Sequence, residues 1–337
     1  MSAVVAVKPA TVLTCPKSCK SLVDIQRELQ KRWEAMAAGL EKPFDSGIPE
    51  LDQKFMGWLC RQDLTVLAGR PGAGKTALAQ QVAEHVAKSG QGVLFLSLDM
   101  PGLDIVLRRS ARRSGHALGM LKSGTGVTEE IANGLAWLID DVSDTRMHIV
   151  DDVFSITDLA KTADEFVAWL ASNGQKLGLV VLDHLQKTEA VAQNRNLELG
   201  VITKELKNMA KRLDVPVLAL SQLGREVEAQ NRRPKKSDLR DSGNIEQDAD
   251  TIMFVHRDDC NAEVADRDGL ADVGSLKLRS GAVGDELKLR FDGPNLTFRS
   301  LGEAPSRGAR RALPGLAVAE PRWTPRATRA KVDLWQE

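Results

Sequence analysis

The chain has 337 residues, 42% apolar and 27% charged, the balance of a globular protein large enough to bury a full core. Lysines plus arginines number 46 and acids 46, so no global charge draws it to nucleic acid or a membrane, although a local basic channel stays open. The lack of tyrosine and the 4% aromatic content argue against an exposed platform for stacking bases.

Met1 to about Lys20 is irregular and has no uninterrupted apolar signal core. No run approaches membrane-spanning length, so a cytoplasmic protein with no membrane partner is expected. Cys15 and Cys19 have loose metal-type spacing, but zinc wants four ligands and no histidine is near. From Ser21, a helix N-cap, the residues Leu22, Ile25, Leu29, Trp33, Met36 and Leu40 recur at helical steps. That stripe either packs on its own domain or docks as an arm on a neighbouring subunit. Lys42-Pro43 ends the helix.

Leu64–Ala68 is an apolar run that reads as a buried strand. Gly69-Arg70-Pro71-Gly72-Ala73-Gly74-Lys75-Thr76 follows, the pattern G-x-x-x-x-G-K-[ST], and then a run of good helix formers. Strand, glycine loop and helix start together make an anion site. Backbone N–H groups curl round a phosphate, Lys75 reaches the β- and γ-phosphates, and the Thr76 hydroxyl binds Mg²⁺. A nucleoside triphosphate is the expected ligand.

A second strand, Gly92–Leu98, ends at Asp99, and a helix with Arg108, Arg109, Arg112 and Arg113 follows. Helical patterns from about Thr128 to Asp141, a short strand at Met147–Val150 and a helix from about Ser155 to Ala171 come next. Leu179–Leu182 is an apolar strand ending in Asp183, whose carboxylate suits Mg²⁺. Asp99 is the candidate for orienting the attacking water; the bland reading is a helix N-cap before Pro101.

A helix from about Glu198 to Leu213 precedes the strand Val215–Leu220, with Pro216 tolerable at its start. Gln222 ends that strand and could sense the γ-phosphate, or be an ordinary polar strand end. Asp238–Asp248 reads as a polar loop in which Arg240 and the N–H groups near Gly243 could grip phosphates. After a strand at Thr251–Val255, strands at about Ser275–Arg279 and Glu286–Phe291 form a hairpin round Ser280–Gly284. Lys277 and Arg279 alternate on it, so both point to one face; they complete a neighbour's ATP site or are the charges of a solvated edge strand. From about Gly302 the chain turns proline-rich and basic and reads as a disordered tail. Apolar strands alternating with helices predict an α/β fold with a mostly parallel sheet covered on both faces and a C-terminal hairpin.

Together these pieces resemble the bacterial replicative hexameric helicases of the DnaB type, in their RecA-like P-loop ATPase domain. The carrying stretches are Ser97–Gly102, Leu182–Gln186, Ala219–Leu223 and above all Ser237–Asp250, in order and spacing over about Lys20 to Leu301. The resemblance implies an arm and linker helix at 1–43, an ATPase domain at 44–301 and a tail at 302–337. It implies a ring of six subunits with ATP between neighbours, translocating on single-stranded DNA to unwind duplex, with a helicase loader as a further partner. Asp99 takes the place of the water-activating carboxylate, Arg279 that of the arginine finger and Lys277 that of its companion. Arg240, Asp241 and Gly243 look like the DNA-contacting loop.

The chain departs from that pattern. Family members usually carry glutamate where Asp99 stands, and the lost methylene shortens its reach by roughly 1.5 Å. His184 replaces a usual tyrosine and Gly224 a usual asparagine. The helical domain ahead of the linker is absent, so primase contact is not expected. A RecA- or RadA-like recombination ATPase and a low-turnover ATP-binding recruiter are the alternative readings.

Overall fold

The computed structural model describes residues 19–40, 44–129, 131–134, 146–224, 232–239, 242–258, 269–279, 281 and 284–302. Cys15, most of the N-terminal stretch, the C-terminal part of the helical pattern ending at Asp141, and the tail from 303 lie outside them. Two units divide the chain, Met1–Phe44 and Asp45–Glu337.

In the first unit Leu22–Ala37 forms helix α1, started by Ser21, whose hydroxyl accepts the Asp24 N–H at 3.2 Å. None of its residues is buried, the apolar stripe included.

In the second unit the elements run α2 (Pro49–Lys54), β1 (Leu64–Gly69), α3 (Lys75–Lys88), β2 (Gly92–Ser97), α4 (Gly102–Ser114), α5 (Leu118–Ser123), β3 (Met147–Val150), α6 (Ile156–Ser172), β4 (Leu177–Asp183), α7 (Arg195–Leu213), β5 (Val217–Gln222), α8 (Ser242–Asp248), β6 (Thr251–His256), β7 (Leu270–Leu278), β8 (Glu286–Asp292) and β9 (Thr297–Ser300). The strands form one sheet in the order β3-β2-β4-β5-β1-β6-β7-β8-β9. The six strands from β3 to β6 are parallel, and β7, β8 and β9 extend the sheet as an antiparallel meander.

Alternation along the parallel strands fills two layers. Leu64, Val66 and Ala68 of β1 share a core with Leu159 and Ala163 of α6 and Leu199, Ile202 and Leu206 of α7. Leu67, Phe95, Val181 and Leu218 are equally buried but lie outside that cluster, and α3 packs on β1, β2, β4 and β5. No helix among the described residues is long and apolar enough to cross a membrane.

Two expectations change and a third is narrowed. The C-terminal hairpin is part of a three-stranded meander, because Thr297–Ser300 pairs with β8. The strand bearing Lys277 lies between β6 and β8, but β8 is in register only with Leu270–Gly274, so among the described residues Lys277 is in register with Ile252 of β6 alone. The polar stretch after Asp241 is helix α8, whose Ile245 is wholly buried.

Candidate active site

Strand β1 delivers Gly69 to the carboxyl edge of the sheet, and the chain turns through Arg70-Pro71-Gly72-Ala73-Gly74 into α3 at Lys75. Two positions demand glycine. Gly74 has φ +102°, and a Cβ there would stand 2.8 Å from the Phe298 ring. At Gly69 a Cβ would stand 2.8 Å from the Val255 carbonyl oxygen of β6. No side chain caps α3, so the positive end of its dipole is left to the loop.

The Lys75 ammonium donates to the carbonyls of Gly69 and Arg70, each at 2.9 Å. Next to it the Thr76 hydroxyl donates to Asp183 Oδ2 at 2.8 Å. Asp183 ends β4 and is 3% exposed. Burial pushes its carboxyl up to about 6, against the Thr76 hydrogen bond and the Lys75 charge. With the Thr76 hydroxyl the carboxyl makes a pair of hard oxygen donors, the chemistry that suits Mg²⁺. Among the described residues no cluster of three or more His, Cys, Asp or Glu side chains could hold a metal alone, so further ligands would be phosphate oxygens and water. The residues fit a magnesium–triphosphate.

Asp99 follows β2, whose Ser97 is in register with Asp183. Its carboxylate lies 3.9 Å from His184 Nδ1 and 3.8 Å from Lys187 Nζ, and its side chain is 44% exposed. The N-cap of α4 is Pro101, with no side-chain cap bond, so the bland reading of Asp99 falls away. Burial holds the His184 imidazole below its usual range.

Gln222, the last residue of β5, is in register with Gly69. A residue the sequence did not single out fixes it: Gln186 Oε1 accepts the Gln222 N–H at 3.1 Å, and Gln186 Nε2 donates to Ser221 Oγ at 3.0 Å. Arg257 is a second such residue. Its guanidinium lies 4.3 Å from the centroid of the Phe291 ring and donates to the Gly72 carbonyl at 3.3 Å.

Lys277 and Arg279 sit at the other end of the sheet. Leu278 is in register with Thr251, and Thr251 with Thr65 near the start of β1. Four strand steps, roughly 13 Å, separate that level from Gly69. The Lys277 ammonium donates to the carbonyls of Glu246 and Ala249, each at 2.6 Å. Arg279 Nη1 donates to Asp250 Oδ1 at 2.5 Å while 72% of its side chain stays exposed. Of the DNA-contact candidates, Gly243 is on α8, whereas Arg240 and Asp241 lie outside the described residues. The Asn244 amide ties α8 to the Asn196 carbonyl at 2.7 Å.

Known proteins resemble this chain in sequence and fold. The chain is 33% identical over 294 residues to the replicative DNA helicase DnaB of Buchnera aphidicola subsp. Baizongia pistaciae, covering 86% of this chain and 62% of that one. It is 36% identical over 262 residues to the replicative DNA helicase DnaB of Pasteurella multocida, covering 77% and 55%. The chain thus spans a little over half the length of the curated relatives it matches. Among solved structures, an isolated ATPase domain superposes with a TM-score of 0.72 at 30% identity, covering 82% of this chain and 98% of that domain. A DnaB-like replicative helicase, solved with its interactions with primase, gives 0.70 at 29% identity, covering 82% and 66%. Residues 44–300 match one family along their whole run, from ahead of α2 to the end of β9, and the chain belongs to it: the DnaB-like helicase C-terminal domain.

Proposed function

We propose that this chain is the motor of a ring-forming DNA helicase that hydrolyses ATP to move along single-stranded DNA and unwind duplex during replication, in the cytoplasm. The observation that carries the reading is the distance between the nucleotide loop and the Lys277–Arg279 pair, the length of the sheet. A cation pair so placed is out of reach of its own subunit's γ-phosphate and suits a neighbour's. The curated relatives are replicative DNA helicases, which supports the same reading.

In this scheme Lys75 binds the phosphates, and Thr76 with Asp183 holds Mg²⁺. When bound, the metal supplies positive charge to the phosphate oxygens. Asp99 orients the attacking water. Gln222, fixed through its backbone to Gln186, reports loss of the γ-phosphate to the segments beside it. Arg279, with Lys277 as companion, stabilises transition-state charge on the adjacent copy's nucleotide. Arg240, Asp241 and Gly243 contact the DNA strand. Helix α1 lays its apolar stripe on the next copy, six copies close the ring, and a helicase loader is a further partner.

Strand displacement on a forked duplex with ATP, run beside native mass measurement, tests the proposal. Unwinding by a six-membered assembly is expected. Strand coating without displacement would favour a recombination ATPase. Asp99 supports one second reading: a short, half-exposed carboxylate suits a ring that binds ATP and recruits partners with little turnover.

A further inference from the structure

One short stretch of chain, Glu246–Asp250, holds both cations of the far end. Lys277 gives its ammonium to the carbonyls of Glu246 and Ala249. Arg279 is held twice by a single residue. Its backbone N–H donates to the Asp250 carbonyl at 3.2 Å, and its guanidinium to Asp250 Oδ1 at 2.5 Å. The two side chains differ sharply in exposure, 72% for Arg279 against 1% for Asp250. One corner of the guanidinium is therefore pinned, and the rest faces outward.

Asp250 is itself anchored. Its Oδ2 accepts the N–H of Leu64, the first residue of β1, at 2.9 Å. The same oxygen takes the Lys207 ammonium from α7. Burial works against the charge of this carboxyl, but hydrogen bonds from Lys207, Leu64 and Arg279 outweigh it and hold it below the usual carboxylate range. The carboxylate is thus fixed to the central strand of the sheet. An exposed arginine left alone samples many rotamers, and a charge-assisted hydrogen bond to a fixed partner selects among them.

We propose that Asp250 is the positioning residue for Arg279, setting the direction in which its guanidinium leaves the subunit towards a neighbour's nucleotide. This rests on the reading of Arg279 as a group lent between subunits. Transition-state stabilisation depends steeply on placement, so a loosened guanidinium lowers turnover without touching the P-loop that binds ATP.

The test is Asp250→Asn in the full chain, which keeps an oxygen for the Leu64 N–H and removes the charge that holds Arg279. Expected is a kcat lower by about ten- to a hundredfold, with KM for ATP changed by no more than about twofold. Mixing supplies a readout that a purely structural role would not move. Asp250→Asn subunits keep a working P-loop, so mixed rings with Lys75→Ala, which keeps its Arg279, regain turnover. Mixed rings with Arg279→Ala do not. Unchanged kcat, or no recovery with Lys75→Ala, would overturn the proposal. Arg279→Ala with full turnover would instead defeat the shared-site reading and leave Asp250 nothing to position. Lys207→Met gives a second variant should Asp250→Asn fail to fold. It removes the other cation from Asp250 but leaves the Arg279 contact, and turnover within about twofold of wild type is expected. A loss as large as that of Arg279→Ala would show that Asp250 serves only packing against α7.

Discussion

The Thr76 hydroxyl donates a 2.8 Å hydrogen bond to Oδ2 of Asp183, 107 residues further along the chain. One side chain belongs to the first turn of α3 and the other to the end of β4, and parallel pairing of β1 and β4 with β5 brings those ends to one edge. Lys75 precedes Thr76 in the same turn. Replacing Lys75 with alanine removes the cation facing the phosphates, and nucleotide binding or hydrolysis should be lost. Binding of a fluorescent ATP analogue and phosphate release measure this; unchanged turnover would dismiss the P-loop assignment.

The Asp183 carboxyl gives a pH dependence with a definite sign. Its folded-state value of about 6 lies above that of an unfolded aspartate, about 3.9. In the metal-free protein it therefore favours the fold below about pH 4, and that contribution is lost as pH rises through about 6. Mg²⁺ needs the ionised form, so its affinity should fall by up to about tenfold per pH unit below the folded value, with proton uptake on metal removal. Calorimetry in two buffers of different ionisation heat measures both. An affinity that does not vary between about pH 5 and 7 would contradict the raised value.

Asp99 stands near the carboxyl edge, does not cap α4, and lies 3.9 Å from His184 and 3.8 Å from Lys187, a place that accords with the proposed role in orienting water. Asp99→Asn should bind ATP and lose turnover by about a hundredfold or more. Asp99→Glu should turn over faster than the native chain if reach limits the reaction. A single-turnover assay separates cleavage from release, and normal cleavage in Asp99→Asn would pass the role to another residue.

The placement of Arg279 predicts complementation. Arg279→Ala should retain nucleotide and lose ATPase, and mixing it with Asp183→Ala should restore part of the rate. Each such pair combines one intact P-loop with one intact guanidinium. Titrating one variant into the other and reading steady-state ATPase checks this, and flat titration would count against a role between subunits.

Phe298 links the meander to the loop. It is 1% exposed, its ring centroid lies 4.7 Å from that of Phe291, and its ring edge would stand 2.8 Å from a Cβ at Gly74. Gln81 of α3 both accepts its N–H and donates to its carbonyl at 3.0 Å. Phe298→Ala should cost about 3–5 kcal/mol in urea denaturation and weaken ATP binding through the loop. A loss below about 1 kcal/mol would mean the ring is not a support.

The loop and its flanks were legible because Leu64–Ala68 is apolar but for Thr65 and the glycine pattern has one mechanical meaning. β9 was missed because Thr297–Ser300 is too short for a period to stand out; only pairing with β8 makes it a strand. Helix α8 was missed because Ser242-Gly243-Asn244 reads as a turn, and the burial of Ile245 is what ties it down. Gln186 falls within a stretch that carries the family resemblance, but its hold on Gln222 depends on which strand lies next to β4. Likewise the two-residue spacing of Lys277 and Arg279 was visible, but their shared hold on Glu246–Asp250 exists only after folding.

The strand register, which sets Gly69 and the strand leading to Arg279 at opposite ends of the sheet's parallel strands, has a counting consequence. If Arg279 serves a neighbour's nucleotide as proposed, a solitary copy owns two half-junctions and no whole one. A row of copies joined head to tail always has one junction fewer than it has members, and only a closed circle has as many. On the proposed shared site, catalytic capacity would be a property of closure, and an unclosed assembly would carry one idle loop.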